Sequence, residues 1–381
     1  MRKNSFFGIS LLVAVAAVFA GVRLLPHARV WLKAHAVVVP FHVMRTYAGA
    51  QSGTQITYYG GPVMGGSTNA YVVYYGNWAS SSQNIVNTWL QHLGGSELYN
   101  INTTYFDTTG AEVRNIVNYN PATNSYLDNY SLGTNLTDAN IQTVISNAIN
   151  GGHLPTDDNG LYFVLTSPDV SETAFGATFC GSFCGYHNPS TTIISGHTIK
   201  YSFVGSPAAC PSACDGNIIN GDSTTPNSDV GADGVINVMF HELSETVSDP
   251  VITAWGEDES ENGDQCNFNF GTFSSLPQAG NGAHYNVTFN GVNYLTQRMF
   301  QVSGTPPAVS GHTYSGACTI GLPICVPNGG LCSTDGDCCN GSCYSGSCQF
   351  PPSCLGSGSS CTRDSDCCSG YCDPGSGLIC F

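Results

Sequence analysis

The sequence predicts an α/β domain with a mostly parallel sheet and packed helices, followed by two small disulfide-rich modules. Apolar strands alternate with amphipathic helices over residues 57–166, as in parallel sheets whose strands are joined by helical crossovers. A long apolar helix with a histidine-bearing acidic motif follows in the middle of the chain. One six-cysteine spacing then occurs twice near the end, which is typical of small units held by disulfides.

Strands and helices alternate through the first half of this domain. We expect strands at residues 70–75, 113–119 and 161–166, because they are rich in β-branched and aromatic side chains. Helices are expected at residues 81–93 and 138–150, where apolar residues recur every three or four positions. The second helix follows a threonine that can cap it and stops at a pair of glycines.

Hairpins are expected further along the chain. Residues 192–204 form the first, with a turn near Gly196, and residues 284–303 form the second. The second hairpin turns at Asn290-Gly291, a dipeptide that favours tight two-residue turns.

Six cysteines belong to this domain. Their spacing indicates local loops closed by Cys180 with Cys184 and by Cys210 with Cys214. Zinc binding by these four thiols is the alternative, which an oxidising compartment disfavours. The remaining pair, Cys266 and Cys318, is expected to join an acidic loop to the end of the domain.

The most informative stretch lies on a helix predicted for residues 231–248. It contains His241, Glu242 and Glu245 in an H-E-x-x-E motif. Residues four apart lie on one face of a helix, so His241 and Glu245 could hold one metal ion. Glu242 could then act as the general base that activates a water molecule. This is the logic of the H-E-x-x-H zinc hydrolases, with a carboxylate replacing the second histidine.

A catalytic zinc site needs three protein ligands and one open position, so a third ligand is expected. Asp249 is one candidate, although it could equally be a turn residue before Pro250. Glu261 and Asp264 are candidates too, because the tight turn at Asn262-Gly263 can aim both carboxylates back at the helix.

Other interpretations of these residues remain open. His187 is a further candidate ligand, on a loop that nearby disulfides would rigidify. An all-oxygen set from residues 257–264 would suit Ca²⁺ instead of Zn²⁺, although the spacing is not that of an EF-hand. His241 could also be a merely hydrogen-bonded side chain, and Glu242 a glutamate that faces solvent.

Charge and cysteine content indicate an extracellular protein. Only 9% of residues are charged, and after Arg45 four basic residues remain against all 26 acidic ones. Such a surface repels phosphates, so no nucleic-acid partner is expected. The 18 cysteines fit an oxidising compartment.

The N-terminus is typical of a secreted chain. Residues 1–20 are expected to be a signal peptide and residues 21–56 a propeptide or linker. A signal anchor is the alternative, because the apolar run approaches the roughly 20 residues that span a bilayer. After signal cleavage we expect no stable membrane association. Five sequons are potential glycosylation sites: Asn102, Asn129, Asn135, Asn286 and Asn340.

Two modules, residues 321–350 and 351–381, share the spacing C-x6-C-x5-C-C-x3-C before a final cysteine. Each is too small for a hydrophobic core, so disulfides must hold it together. Neither module contains a histidine that would favour a zinc site. The spacing resembles cystine-knot miniproteins, which implies pairing of the first cysteine with the fourth, the second with the fifth and the third with the sixth. Spacing alone leaves other pairings open.

Several motifs of the main domain, residues 57–320, resemble the Exordium family, also called phosphate-induced protein 1. They are GGPVMGG at 60–66, YVVYYGNW at 71–78, YFVLTSPDV at 162–170, FCGYH at 183–187, CPSAC at 210–214 and DVGADGVINVMFHELSETVSDP at 229–250. The resemblance implies a secreted, cell-wall-associated protein that is linked in plants to growth responses.

At the H-E-x-x-E motif the chain resembles microbial-type members of that family more than plant members. Plant members carry a small apolar residue in place of His241 and lack the H-E pair. Microbial members carry a motif similar to H-E-L-x-E-x-x-T-D-P, followed by one similar to E-x-G-D-x-C. These patterns fall on His241, Glu242, Glu245, Asp249 and Pro250, and on Glu261, Asp264 and Cys266.

These observations predict a secreted zinc-dependent hydrolase of metallopeptidase type. Its partner would be an extracellular polypeptide or a cell-wall polymer. The competing expectation is a non-catalytic extracellular protein that binds the cell wall or takes part in growth signalling.

Overall fold

The computed structural model describes residues 42–256 and 260–324, together with positions 343, 344, 347, 348, 360, 367, 372, 373, 379 and 380. The predicted signal peptide, most of the predicted propeptide or linker, and most of both C-terminal modules lie outside these residues. No helix among the described residues is long and apolar enough to cross a membrane.

The helices of the described domain are mostly short. They are α1 Ser80–Leu93, α2 Glu97–Asn100, α3 Pro121–Asn124, α4 Asp138–Asn150, α5 Pro211–Cys214, α6 Gly216–Ile219 and α7 Val230–Ser248. The predicted helices at residues 81–93, 138–150 and 231–248 are therefore confirmed to within one residue at each end.

Strands form one large sheet and several small ones. Those of the large sheet are β1 His42–Arg45, β3 Gly66–Tyr75, β4 Val113–Asn118, β5 Ser125–Asp128, β7 Gly160–Thr166, β10 Phe183–Ser190 and β11 Ile199–Val204. The others are β2 Gln55–Tyr58, β6 Asn135–Thr137, β8 Ser171–Ala174, β9 Ala177–Thr178, β12 Trp255–Gly256, β13 Val287–Phe289, β14 Val292–Tyr294, β15 Met299–Val302 and β16 His312–Thr319.

The α/β class is confirmed, but a mostly parallel architecture is not. The large sheet runs in the order β1-β10-β11-β7-β3-β4, with β5 also paired to β3. Pairings among β11, β7, β3, β4 and β5 are parallel, whereas β10 runs antiparallel to both β1 and β11. A second sheet, β12-β2-β16-β15, is wholly antiparallel. In this sheet only β15 and β16 follow one another along the chain, and the other pairings join distant segments.

Both faces of the large sheet carry helices. Side chains alternate between the two faces of a strand. On β10, the Tyr186 hydroxyl donates to Asp138 at the start of α4, while the next residue, His187, contacts Glu242 of α7. Helix α7 therefore packs on the face opposite α4, and α1 packs against α7. Residues 232–248 of α7 are all buried, as expected for a helix that is apolar on several sides.

The local disulfide loops predicted for four cysteines are wrong. Cys180 bonds to Cys210 and Cys184 bonds to Cys214, with Cα–Cα distances of 5.8 and 5.6 Å. Cys180 lies in the turn before β10 and Cys184 lies on β10, and α5 packs against this segment, which brings Cys210 and Cys214 within bonding distance. The two bonds fasten β10 and the turn before it to α5 and its N-cap residue. The predicted bond between Cys266 and Cys318 is confirmed.

In the second C-terminal module, Cys367 bonds to Cys380. These are the third and sixth cysteines of the module, so this one pairing agrees with the cystine-knot expectation. The other pairings lie outside the described residues.

One predicted glycosylation site conflicts with the fold. Asn102 is fully buried, and its side-chain amide donates to the hydroxyl of Ser244 on α7 at 3.3 Å. Its side chain cannot carry a surface glycan in this structure. Asn129 and Asn135 are exposed.

Candidate metal centre

Helix α7 and strand β10 bring together two histidines that are distant in sequence. His241 lies in the fourth turn of α7, and His187 lies on the face of β10 that α7 covers. Gly185 makes this close approach possible. A Cβ atom there would lie 2.6 Å from Cγ1 of Val238 and 3.1 Å from Oε1 of Glu242.

Glu245 lies between the two histidines. Its Oε1 is 2.9 Å from Nε2 of His241, and its Oε2 is 3.4 Å from Nδ1 of His187. The His241–Glu245 pair is the i, i+4 pair predicted from the motif, now seen on one face of the helix. The involvement of His187 depends on the packing of β10 and not on the motif.

Two further carboxylates reach the cluster from the loop after the helix. Oδ1 of Asp264 is 3.6 Å from Nε2 of His241, and Oε2 of Glu261 is 3.4 Å from Nε2 of His187. The turn at Asn262-Gly263 places them there, as its sequence indicated. A Cβ on Gly263 would lie only 2.9 Å from Oε1 of Glu245 and from the ring of His241. Glycine at this position is therefore a packing requirement.

The separations within the cluster suit a metal ion. Among the described residues, two sets of three donors lie within 4.8 Å of one another, and they share Glu245. One set is completed by His187 and Glu242, and the other by His241 and Asp264. Ligand atoms about 2.0–2.2 Å from a tetrahedral Zn²⁺ are separated by about 3.3–3.6 Å, close to the contacts observed here.

Gln297 fixes the orientation of His241, and sequence analysis did not identify it. The Gln297 amide donates to the carbonyl of Gly263 at 2.8 Å, and its oxygen accepts from the backbone N–H of Phe268 at 3.3 Å. That oxygen is also 3.4 Å from Nδ1 of His241. Hydrogen-bond geometry thus assigns the ring proton to Nδ1 and leaves the Nε2 lone pair facing the carboxylates.

A lone pair directed at carboxylates needs a cation between them. Nε2 of His241 and Oε2 of Glu245 are both buried, and neither makes a hydrogen bond with a described residue. A buried polar atom left in this state is costly, and coordination of a metal ion would satisfy both atoms. The residues present therefore fit a metal ion, and the two imidazoles favour Zn²⁺ over Ca²⁺.

In the absence of a metal ion, the electrostatics of the cluster favour protonation. Burial lowers the pKa of His241, but the carboxylates of Glu245, Glu242 and Asp264 together outweigh burial and raise this pKa to about 10. Burial raises the pKa of Glu261 well above its usual range. The cluster thus takes up protons when no other cation balances its carboxylates.

Glu242 faces the N-terminal strand of the domain. Its Oε1 accepts a hydrogen bond from the backbone N–H of Met44 on β1 at 3.1 Å, and its Oε2 is 3.2 Å from Nδ1 of His187. Both carboxylate oxygens are therefore engaged by protein atoms, and Glu242 is fully buried.

Asp249 belongs to neither donor set. Its Oδ1 accepts hydrogen bonds from the backbone N–H groups of Thr253 and Ala254 at 2.7 and 2.8 Å. Asp249 thus stabilises the turn that follows the helix, which was the alternative interpretation from the sequence. Of the acidic loop that suggested Ca²⁺, residues 257–259 lie outside the described part of the chain.

The family described as Phosphate-induced protein 1 conserved region matches residues 56–305. The chain is 33% identical over 254 residues to Protein EXORDIUM-like 5 of Arabidopsis thaliana, covering 60% of this chain and 68% of that protein. It is 31% identical over 292 residues to Protein EXORDIUM-like 3 of the same plant, covering 68% of this chain and 84% of that protein.

A tobacco relative, Protein PHOSPHATE-INDUCED 1 of Nicotiana tabacum, is 25% identical over 226 residues, covering 54% of this chain and 68% of that protein. No solved structure gives a significant match. The matches to the family and to these relatives span most of the domain that carries the cluster. The chain therefore belongs to the phosphate-induced protein 1, or Exordium, family.

Proposed function

We propose that this chain is a secreted Exordium-family protein that holds a zinc ion in its buried histidine–carboxylate cluster. The observation that carries the proposal is the Nε2 atom of His241, buried without a hydrogen bond and directed at Glu245 and Asp264. Glu245 and Asp264 would be the other ligands, and His187 lies beside Glu245 in the second donor set.

In the form described here, the zinc ion would stabilise the domain instead of acting in catalysis. A catalytic zinc site keeps one position open for water or substrate. The histidines, Glu242 and Glu245 are at most 1% exposed, and the candidate base is bonded to strand β1. A closed centre supports a non-catalytic extracellular role, in cell-wall binding or growth signalling, better than it supports an active hydrolase.

Metal content tests this proposal. The secreted protein should contain about one zinc ion per chain by elemental mass spectrometry, and His241→Ala should lose most of it. His197→Ala is the matched control, because His197 pairs with Asp158 at the surface, and it should keep the zinc. Absence of zinc from wild type and control alike, in chelator-free preparations, would overturn the proposal.

A zinc-dependent hydrolase of peptidase type is the second candidate function, and Glu242 favours it. This carboxylate shares a donor set with His187 and Glu245, close to where a general base for water would be needed. The activity would act on an extracellular polypeptide.

Glu242→Gln separates this second candidate from the first. The variant should keep its zinc, because an amide oxygen can still accept the Met44 hydrogen bond. Any peptide hydrolysis by the wild-type protein should fall by about 100-fold or more, the usual effect of losing a general base. Glu172→Gln, which changes another buried glutamate, should retain turnover. Equal turnover in wild type and Glu242→Gln would remove Glu242 from the mechanism.

A further inference from the structure

One segment crosses every element that supplies a residue to the metal centre. We name residues 42–53 the strap. Its first part, β1, pairs antiparallel with β10, so that Met44 lies opposite Gly185. In its middle part, the backbone N–H of Tyr47 donates a hydrogen bond to the carbonyl of Ala213 at 2.9 Å.

The end of the strap is tied to the loop that carries Asp264. The backbone N–H groups of Gln51 and Gly53 donate to the carbonyls of Asn267 and Gln265 at 2.9 and 2.7 Å. The side chain of Asn267 donates in return to the carbonyl of Arg45 at 3.2 Å. The strap therefore runs from β10, which carries His187, to the loop that carries Glu261 and Asp264.

The strap directs one backbone group at the centre itself. The N–H of Met44 donates to Oε1 of Glu242 at 3.1 Å, and the Met44 side chain is fully buried. A hydrogen bond between a backbone N–H and a buried carboxylate is charge-assisted and needs no particular side chain. Any extended polypeptide in this register could make the same bond.

We propose that the strap occupies, within the same chain, a binding groove for an extended polypeptide. Without the strap, β10 becomes the open edge of the sheet, since its other side pairs with β11. Open edges accept an added strand through backbone hydrogen bonds. A polypeptide that replaced β1 would run antiparallel to β10 and place its backbone beside Glu242 and His187.

The strap can leave without breaking a covalent cross-link. The first cysteine of the chain is Cys180, so the residues before it cannot form a disulfide with one another, and none lies in the strap. Residues 47, 48 and 50–52 are exposed, which makes them accessible to a protease. After cleavage there, the segment that contains β1 would be held by hydrogen bonds and packing alone. Displacement of the strap would also uncover the metal centre, a consequence that depends on the zinc proposed above.

A full-length chain with a site-specific protease sequence inserted after Gly49 tests this inference. The probe is a fluorescent peptide with the sequence of residues 41–50, FHVMRTYAGA. After cleavage and removal of the released segment, the protein should bind the probe, whereas the uncut protein should not. Zinc should pass to a chelator about tenfold faster after cleavage, the factor expected from losing one hydrogen bond to a charged group.

A point substitution provides a second test that needs no cleavage. Met44→Pro removes the N–H that bonds to Glu242 and should let the uncut chain bind the probe. Met44→Leu keeps that N–H and should behave as wild type. If neither the cleaved protein nor Met44→Pro binds the probe while circular dichroism stays native, the groove does not exist. If both bind it but no zinc is ever found, the groove stands and the metal proposal fails.

Discussion

Removing zinc from the intact protein should lower its melting temperature by about 10 °C. Without the ion, Glu245 and Glu261 remain buried beside two imidazoles, and protonation of the cluster must balance its charge. Leaving a buried charge without its partner costs about 3–5 kcal/mol. For a domain of this size, each kcal/mol shifts the midpoint by about 2–4 °C.

The measurement is a thermal scan of the secreted protein before and after dialysis against a chelator, and again after zinc is restored. His241→Ala serves as the control, because a chain that has already lost the ion should not respond to the chelator. An unchanged melting temperature in wild-type protein shown to be zinc-free would mean that the cluster is stable without a metal. Recovery with zinc but not with calcium would exclude the calcium interpretation.

Gly263→Ala should abolish most zinc binding although it adds only one methyl group. The new Cβ would lie 2.9 Å from both Oε1 of Glu245 and Cγ of His241, closer than carbon atoms normally approach. Either the ring or the loop must move, and both carry metal donors. Overpacking of this kind costs about 1–3 kcal/mol even without a ligand.

Elemental analysis measures the zinc content of the variant, and a urea titration measures its free energy of unfolding. Gly280→Ala is the matched control, because a Cβ at Gly280 would meet no atom within 4 Å. Full zinc content in Gly263→Ala would show that the loop can shift without disturbing the donors. The geometry of the turn would then not be a requirement of the site.

Much of the candidate metal centre follows from the sequence because its geometry is local. His241 and Glu245 share a helix face as a consequence of helical periodicity, and the observed contact of 2.9 Å needs only the helix to form. The positions of Glu261 and Asp264 also follow from local geometry, since the turn between them directs both side chains to one side. Helix bounds were predictable for the same reason.

Other parts could not be predicted, because they depend on which segments pair in three dimensions. Gln297 is an ordinary glutamine in the sequence, and only packing places it against His241. The disulfides of Cys180 and Cys184 reach Cys210 and Cys214 because α5 packs against β10, a contact that the cysteine spacing does not contain. No spacing signal identifies these partners.

The sequence by itself determined the H-E-x-x-E helix, the acidic turn after it and the family to which the chain is similar. These depend on interactions between residues a few positions apart, which chain geometry fixes. Only the tertiary structure decided that His187 joins the cluster and that β1 covers Glu242. Both depend on the register of β10 between two antiparallel neighbours, and register is set by the packing of a whole sheet face against its helices.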